Sequence, residues 1–155
     1  MVDQRFLRVL RTVSLQLNES NVQWALVGSL GLAVRGMSTE PHDIDIITDK
    51  AGAYEMERLF SRYVTRRVAL RTSEKIQSHF GILEIQGVKI EIMGDFQIKL
   101  PNGNWENPPD LARHKQTVLV DDMHVHVLSL EWEYQTSLKL GRGEKAEIVM
   151  TDLLK

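Results

Sequence analysis

The chain has no cysteine among its 155 residues, which excludes disulfides, thiol catalysis and cysteine-ligated zinc. It also has no long hydrophobic run. Nothing approaches the roughly 20 apolar residues that a membrane-spanning helix needs, so no membrane contact is expected. Neither sign of charge dominates, and the formal net charge is −2 at pH 7. That weighs against a surface coating nucleic acid broadly, and it leaves room for a local basic cleft. The opening MVDQRFLRVLRTVSLQL lacks the apolar core of a signal peptide, which makes a cytoplasmic location the expectation. Internal repeats, low-complexity segments and dividing linkers are missing too. One domain over residues 1–155 is expected, a length that supports a single core.

What is there reads as alternating helix and strand, then hairpins. Phe6, Val9, Leu10, Val13 and Leu17 recur at three- and four-residue spacing, which predicts a helix from Asp3 to Leu17. Trp24 to Val27 reads as a buried strand ending at Gly28. A short helix over Leu30 to Val34 is expected to be capped by Ser29. A second strand covers Asp43 to Ile47, and Asp49 can cap a helix over Gly52 to Ser61. Alternation from Val64 to Arg71 predicts a strand with a wet face. Phe80 to Ile85 and Val88 to Met93 flank Gln86-Gly87, the signature of a tight hairpin. Asp95 to Pro109 is turn-rich and reads as loop. Thr117 to Val120 and Met123 to Leu128 predict a second hairpin around Asp121-Asp122. Ser129 caps a helix to Leu140, with Glu131 and Glu133 in its dipole-favoured first turn. Gly141 fits its C-terminus, and a last helix covers Glu144 to Leu154. The fold class is α/β in the α+β sense: a mixed β-sheet with helices packed on it.

The chemistry concentrates between Trp24 and Thr48, WALVGSLGLAVRGMSTEPHDIDIIT. Asp43 and Asp45 lie two apart on a strand, so their carboxylates share one face while Ile44 and Ile46 take the other. Like charges so placed call for a positive partner, and hard divalent cations are held by carboxylate oxygens. In VKIEIM, Glu91 is a lone acid opposite the face of Val88, Ile90 and Ile92. If the two strands are neighbours, Asp43, Asp45 and Glu91 form one cluster. Three carboxylates suit two divalent cations about 3.5–4 Å apart, an arrangement that serves phosphoryl chemistry. Gly28-Ser29 suits a phosphate: glycine admits close backbone approach, and amides at a helix start favour an anion.

VGS, thirteen residues, then DIDI, with Glu91 in GVKIEIMGD, resembles the signature of the nucleotidyltransferase superfamily related to DNA polymerase β. The likeness covers Trp24 to Gly94. It implies a nucleotidyltransferase fold and two magnesium ions, with manganese as an alternative. The implied activity is transfer of a nucleoside monophosphate, AMP being the expected one, from a nucleoside triphosphate to a hydroxyl acceptor, with loss of pyrophosphate. By position, Asp43 and Asp45 would ligate both metals. Glu91 would ligate the catalytic one and help deprotonate the acceptor. Gly28 and Ser29 would hold the β- and γ-phosphates. LKLGRGEKAEI resembles the Lys-x-x-Gly-Arg stretch of small bacterial members, which would make Lys139 and Arg142 triphosphate contacts. Two departures stand out. The third acid is usually aspartate, and the separate acceptor-binding domain of antibiotic-modifying and RNA-tailing members has no counterpart over 129–155. The chain resembles minimal members, including toxin–antitoxin and abortive-infection proteins. The acceptor would then bind at a homodimer interface, on a helical protein partner, or at the loop from Asp95 to Pro109.

Each motif has a plainer reading. Asp43 and Asp45 could line a wet edge strand. Glu91 could pair with Lys89 or Arg71. Gly28-Ser29 could be an ordinary capped turn, and Lys139 and Arg142 could complement a helix dipole. His79 is expected to hold a structural hydrogen bond, and His124 and His126 a solvent face. Arg66, Arg67 and Arg71 read as a solvated strand or as a basic rim for phosphate or RNA. Trp105 could stack on a base or pin its loop. The competing function is a nucleotide-binding regulatory or toxin–antitoxin module of the same fold with little turnover alone.

Overall fold

A computed structural model describes residues 2–153, and the side-chain surroundings of residues 2–150. The last residue of the expected C-terminal helix, Leu154, lies outside the described residues. Among the described residues fourteen elements follow one another, and their strands join a seven-stranded mixed sheet. In chain order the strands are β1 (Trp24–Val27), β2 (Ile44–Thr48), β3 (Val64–Thr72), β4 (Ile76–Ile85), β5 (Val88–Ile98), β6 (Lys115–Val120) and β7 (Met123–Leu128). Across the sheet they run β3-β4-β5-β2-β1-β7-β6. β2 pairs with β5, and β1 with β7, in parallel; the remaining pairs are antiparallel.

One face of the sheet is closed by α1 (Gln4–Asn18) and α3 (Lys50–Leu59). The apolar stripe of α1 is buried as its spacing predicts, and Asp3 caps it by accepting from the Arg5 amide at 2.8 Å. Asp49 caps α3 through the Gly52 amide at 2.6 Å. α3 can lie this close because Gly94 has no side chain; a Cβ there would stand 2.7 Å from that of Ala53. Leu10, Leu26, Ile44, Ile46, Ile90, Ile92 and Val127 fill the core between them.

The opposite face carries α5 (Leu130–Lys139), with Ala25, Val27, Ile47, Phe96 and Leu128 beneath Trp132 and Leu140. Ser129 caps α5 through the Trp132 amide at 3.2 Å. The helix ends on Gly141 at φ 72°, where the Arg142 amide bonds the Ser137 carbonyl and the Gly141 amide that of Leu138. This C-cap motif satisfies carbonyls that would otherwise be orphaned. α6 (Gly143–Leu153) follows.

Three expectations need correction. Ser29 does not cap the short helix α2 (Gly28–Ala33): the helix begins at Gly28, two residues before the expected Leu30, and its N-cap is Val27, with no side-chain bond. The segment from Asp95 is not loop throughout, since β5 continues to Ile98. Asp95, at φ 50°, sits where the β4–β5 register shifts. That bulge turns Phe96 and Ile98 onto the α5 side, so the strict alternation needed to see a strand is broken. A one-turn helix, α4 (Leu111–His114), precedes β6 and was not expected. The Gln86-Gly87 hairpin is as expected, with φ 51° and 77° at its two central residues, the signs a type I′ turn requires. Among the described residues no helix is long and apolar enough to cross a membrane.

Candidate active site

The parallel pairing of β2 and β5 places Asp45 directly beside Glu91. Asp43 stands just before β2, two residues from Asp45 and on the same side. One carboxylate oxygen from each of the three lies within 4.8 Å of the others. Sequence pattern puts the acids on one face of each strand, and strand order makes them a cluster.

The cluster has little compensation of its own. Lys89 Nζ lies 3.3 Å from Glu91 and 3.9 Å from Asp43, so the pairing of Glu91 with Lys89 weighed above is present. Both acids raise the Lys89 pKa, Glu91 foremost, but the ammonium is largely solvated and such pairs hold weakly. Asp45 is the strained member. Burial first, then a hydrogen bond and repulsion from Glu91, then Asp43, push its carboxyl up to about 7, against a partial pull from Lys145. Its Oδ1 is buried without a hydrogen-bond partner. A buried, unpaired carboxylate oxygen in a triad of acids fits a hard divalent cation, and the residues present pass that test.

Gly28 closes the site from below. It adopts φ 73°, and a Cβ there would stand 2.5 Å from Asp45 Oδ2. Glycine is therefore required twice, for the backbone angle and for the space beside the aspartate. The Gly28 amide donates to Glu133 Oε2 at 3.2 Å. Glu133 is buried on α5 and lies 3.8 Å from Arg35. Burial raises its pKa, while Lys145, Arg35, the Gly28 amide and Arg142 draw it back. Arg35 is held in place by bonds to the Gly31 and Leu128 carbonyls.

A cavity joins these parts. Gly28, Asp45, Glu91, Glu133, Arg142 and Lys145 line it together with apolar side chains that include Ile47, Met93, Phe96, Trp132 and Leu140. Phe96 and Trp132 meet edge to face at 6.2 Å. Arg142 thus joins the acids. Lys139 does not: its ammonium bonds Glu106 at 2.9 Å, away from this cavity. Ser29 is half-buried at the second residue of α2. Its carbonyl accepts from Thr39 at 2.7 Å, and its hydroxyl has no partner among the described residues.

Sequence reasoning missed Glu133 and Lys145. Glu133 read as an acid in the dipole-favoured first turn, and nothing in the sequence marked it as buried. Nothing distinguished Lys145 before α6 was placed. The plainer readings of His79 and Trp105 stand, while His126 is half-buried beside Trp24 and not on the solvent face expected of it. His79 Nδ1 bonds the Tyr54 hydroxyl at 3.0 Å, and His126 Nδ1 bonds Thr117 at 2.9 Å. Trp105 bridges to Lys99 and takes its ammonium over the ring, which pins the loop.

Comparison with known proteins places the chain among the nucleotidyltransferases. The family model of aminoglycoside-2″-adenylyltransferase matches residues 9–152. The structure of TM1012 from Thermotoga maritima, assigned to the nucleotidyltransferases, shares 50% identity, with a TM-score of 0.89 over 99% of this chain and 95% of that one. The antibiotic-resistance factor ANT(2″)-Ia has the same fold, with 13% identity and a TM-score of 0.66 over 98% of this chain and 86% of that one. So does the lincosamide adenylyltransferase LnuA, at 14% and 0.54 over 86% and 85%. No curated protein sequence matches.

Proposed function

From the premise that this chain belongs to the aminoglycoside-2″-adenylyltransferase family and is an enzyme of the nucleotidyltransferase class, we propose that it transfers AMP from ATP to a hydroxyl acceptor. The observation that carries this reading is the register of Asp45 against Glu91, with Asp43 alongside and Gly28 beneath.

In this reading Asp43, Asp45 and Glu91 hold two magnesium ions. Such ions, when bound, neutralise phosphate charge and lower the pKa of a coordinated oxygen. The chain's own residues do the rest. The Ser29 amide, at the start of α2, takes a phosphate oxygen of the leaving pyrophosphate, and Gly28, whose own amide is held by Glu133, lets that phosphate approach the backbone closely. The unpartnered Ser29 hydroxyl adds a donor. Arg142 and Lys145 sit where the developing charge on pyrophosphate needs cations. Lys139 can assist only after leaving Glu106, so we give its place to Lys145. The apolar walls, Phe96 and Trp132 among them, exclude water and offer the adenine a flat surface. Glu91 takes the proton of the acceptor hydroxyl. Most of the rate comes from position and fixed charge.

The test is release of pyrophosphate and labelling of acceptor from α-labelled ATP with magnesium. Asp45→Asn is expected to lower the rate by about 10³-fold, the worth of several kcal/mol of charge stabilisation, while the protein stays folded. Full activity in this variant contradicts the assignment.

A further inference from the structure

We propose that Glu133 is an internal competitor for the pyrophosphate end of the donor. Its carboxylate lies on the Gly28 turn, among the cations that pyrophosphate needs, and it weakens the hold on donor and product alike. This deepens the AMP-transfer reading and rests on it.

An anion is seated there before any ligand arrives. Glu133 is buried on α5 and lines the cavity shared with Asp45 and Glu91. Its Oε2 accepts from the Gly28 amide at 3.2 Å. A Cβ on Gly31 would stand 3.6 Å from that same oxygen. The carboxylate therefore lies against the first turn of α2, where the donor phosphates are placed above.

That anion is thinly satisfied. A carboxylate can accept about four hydrogen bonds, and Glu133 has one among the described residues. Arg35 lies 3.8 Å away, beyond hydrogen-bond range, and commits Nε and Nη1 to the Gly31 and Leu128 carbonyls. Burial favours the neutral form of Glu133, while Lys145, then Arg35, the Gly28 amide and Arg142 favour the carboxylate. Lys145 acts in the same sense on Asp45, so one ammonium serves acids on two elements, β2 and α5.

The charges around the cavity make this a competition. Among the described residues, the charged groups that line it are Asp45, Glu91, Glu133, Arg142 and Lys145. Divalent ions held by the carboxylate cluster would compensate Asp45 and Glu91. Glu133 instead draws on Lys145 and Arg142, the two cations assigned above to pyrophosphate. Like charges brought together away from water repel. Bound donor and bound pyrophosphate carry the same phosphates at this end, so both meet that repulsion. The effect is on affinity for both states and on product release, the mark of uniform binding.

The experiment is calorimetric titration of magnesium-ATP and of magnesium pyrophosphate into wild type, Glu133→Gln, Glu133→Asp and Lys145→Gln, with folding checked by circular dichroism. Glu133→Gln removes the charge and keeps both the shape and an acceptor for the Gly28 amide. It is expected to bind both ligands at least about fivefold more tightly, as relief of like-charge repulsion requires, although it is the less stable protein. Glu133→Asp keeps the charge and is expected to show no such gain. A purely structural Glu133 predicts the opposite sign, weaker binding as the turn loosens. Equal or weaker binding by Glu133→Gln overturns the proposal and leaves the AMP-transfer reading intact. A gain for ATP without one for pyrophosphate overturns it too. Should Glu133→Gln fail to fold, Lys145→Gln decides. That variant is expected to lower the thermal midpoint of the ligand-free protein, because Glu133 loses a counter-charge, and to weaken pyrophosphate binding. An unchanged midpoint overturns the proposal. Wild type without magnesium-dependent ATP binding overturns the AMP-transfer reading and, with it, this one.

Discussion

Glu133 on α5 accepts the Gly28 amide at 3.2 Å, and through that bond the second helical layer holds the turn beside the acids. The carboxylate is buried and paired with Arg35 at 3.8 Å. Removing one partner of a buried pair strands the other. Glu133→Ala is expected to cost about 3 kcal/mol of stability, measured by urea denaturation. Glu133→Gln keeps an acceptor for the amide, and the expected loss is about half as large. Equal midpoints for wild type and Glu133→Ala contradict this role.

Gly28 itself tolerates no side chain. Its positive φ alone costs an alanine about 1–2 kcal/mol, and the Cβ would contact Asp45 Oδ2. Gly28→Ala is expected to lower magnesium-dependent ATP affinity at least about tenfold, a displacement worth about 1.4 kcal/mol, with the fold retained by circular dichroism. Unchanged affinity shows that the Gly28 turn is not part of the donor site.

Charge crowding at Asp45 gives the metal-free protein a pH signature. Its carboxyl rises from an ordinary 3.8 to about 7 in the folded state. The folded chain therefore holds this proton more tightly than the unfolded one. The stability it contributes is fully present below about pH 4 and is lost as pH rises through about 7. In chelator, the thermal midpoint is expected to fall between pH 5 and pH 8. Asp45→Asn is expected to flatten that slope and to exceed wild type at pH 8. A wild-type slope identical to that of the variant rules out Asp45 as its source.

Much of this was legible because local pattern and global fold agree. Asp43 and Asp45 alternate with buried isoleucines, Gln86-Gly87 can make only a tight turn, and Asp49 and Ser129 announce their helices. The contact that matters most, Asp45 beside Glu91, was legible as a condition on strand order, since nothing within either strand states which is its neighbour. Three features escaped for physical reasons. The bulge at Asp95 breaks the two-residue period, so Phe96 and Ile98 did not read as strand. Glu133 looks like any first-turn acid until α5 is seen to lie over Gly28. Lys139 and Arg142 lie three residues apart, but the helix ends between them, and the reversal at Gly141 sends them to different neighbours.

The most direct measurement is calorimetric titration of each of the four nucleoside triphosphates, with and without magnesium, into wild type and Asp43→Asn/Asp45→Asn. The predicted result is magnesium-dependent binding, strongest for ATP, that disappears in the double variant. Binding that is indifferent to magnesium, or that survives loss of both aspartates, would contradict the assignment of this carboxylate cluster as the nucleotidyl-transfer site.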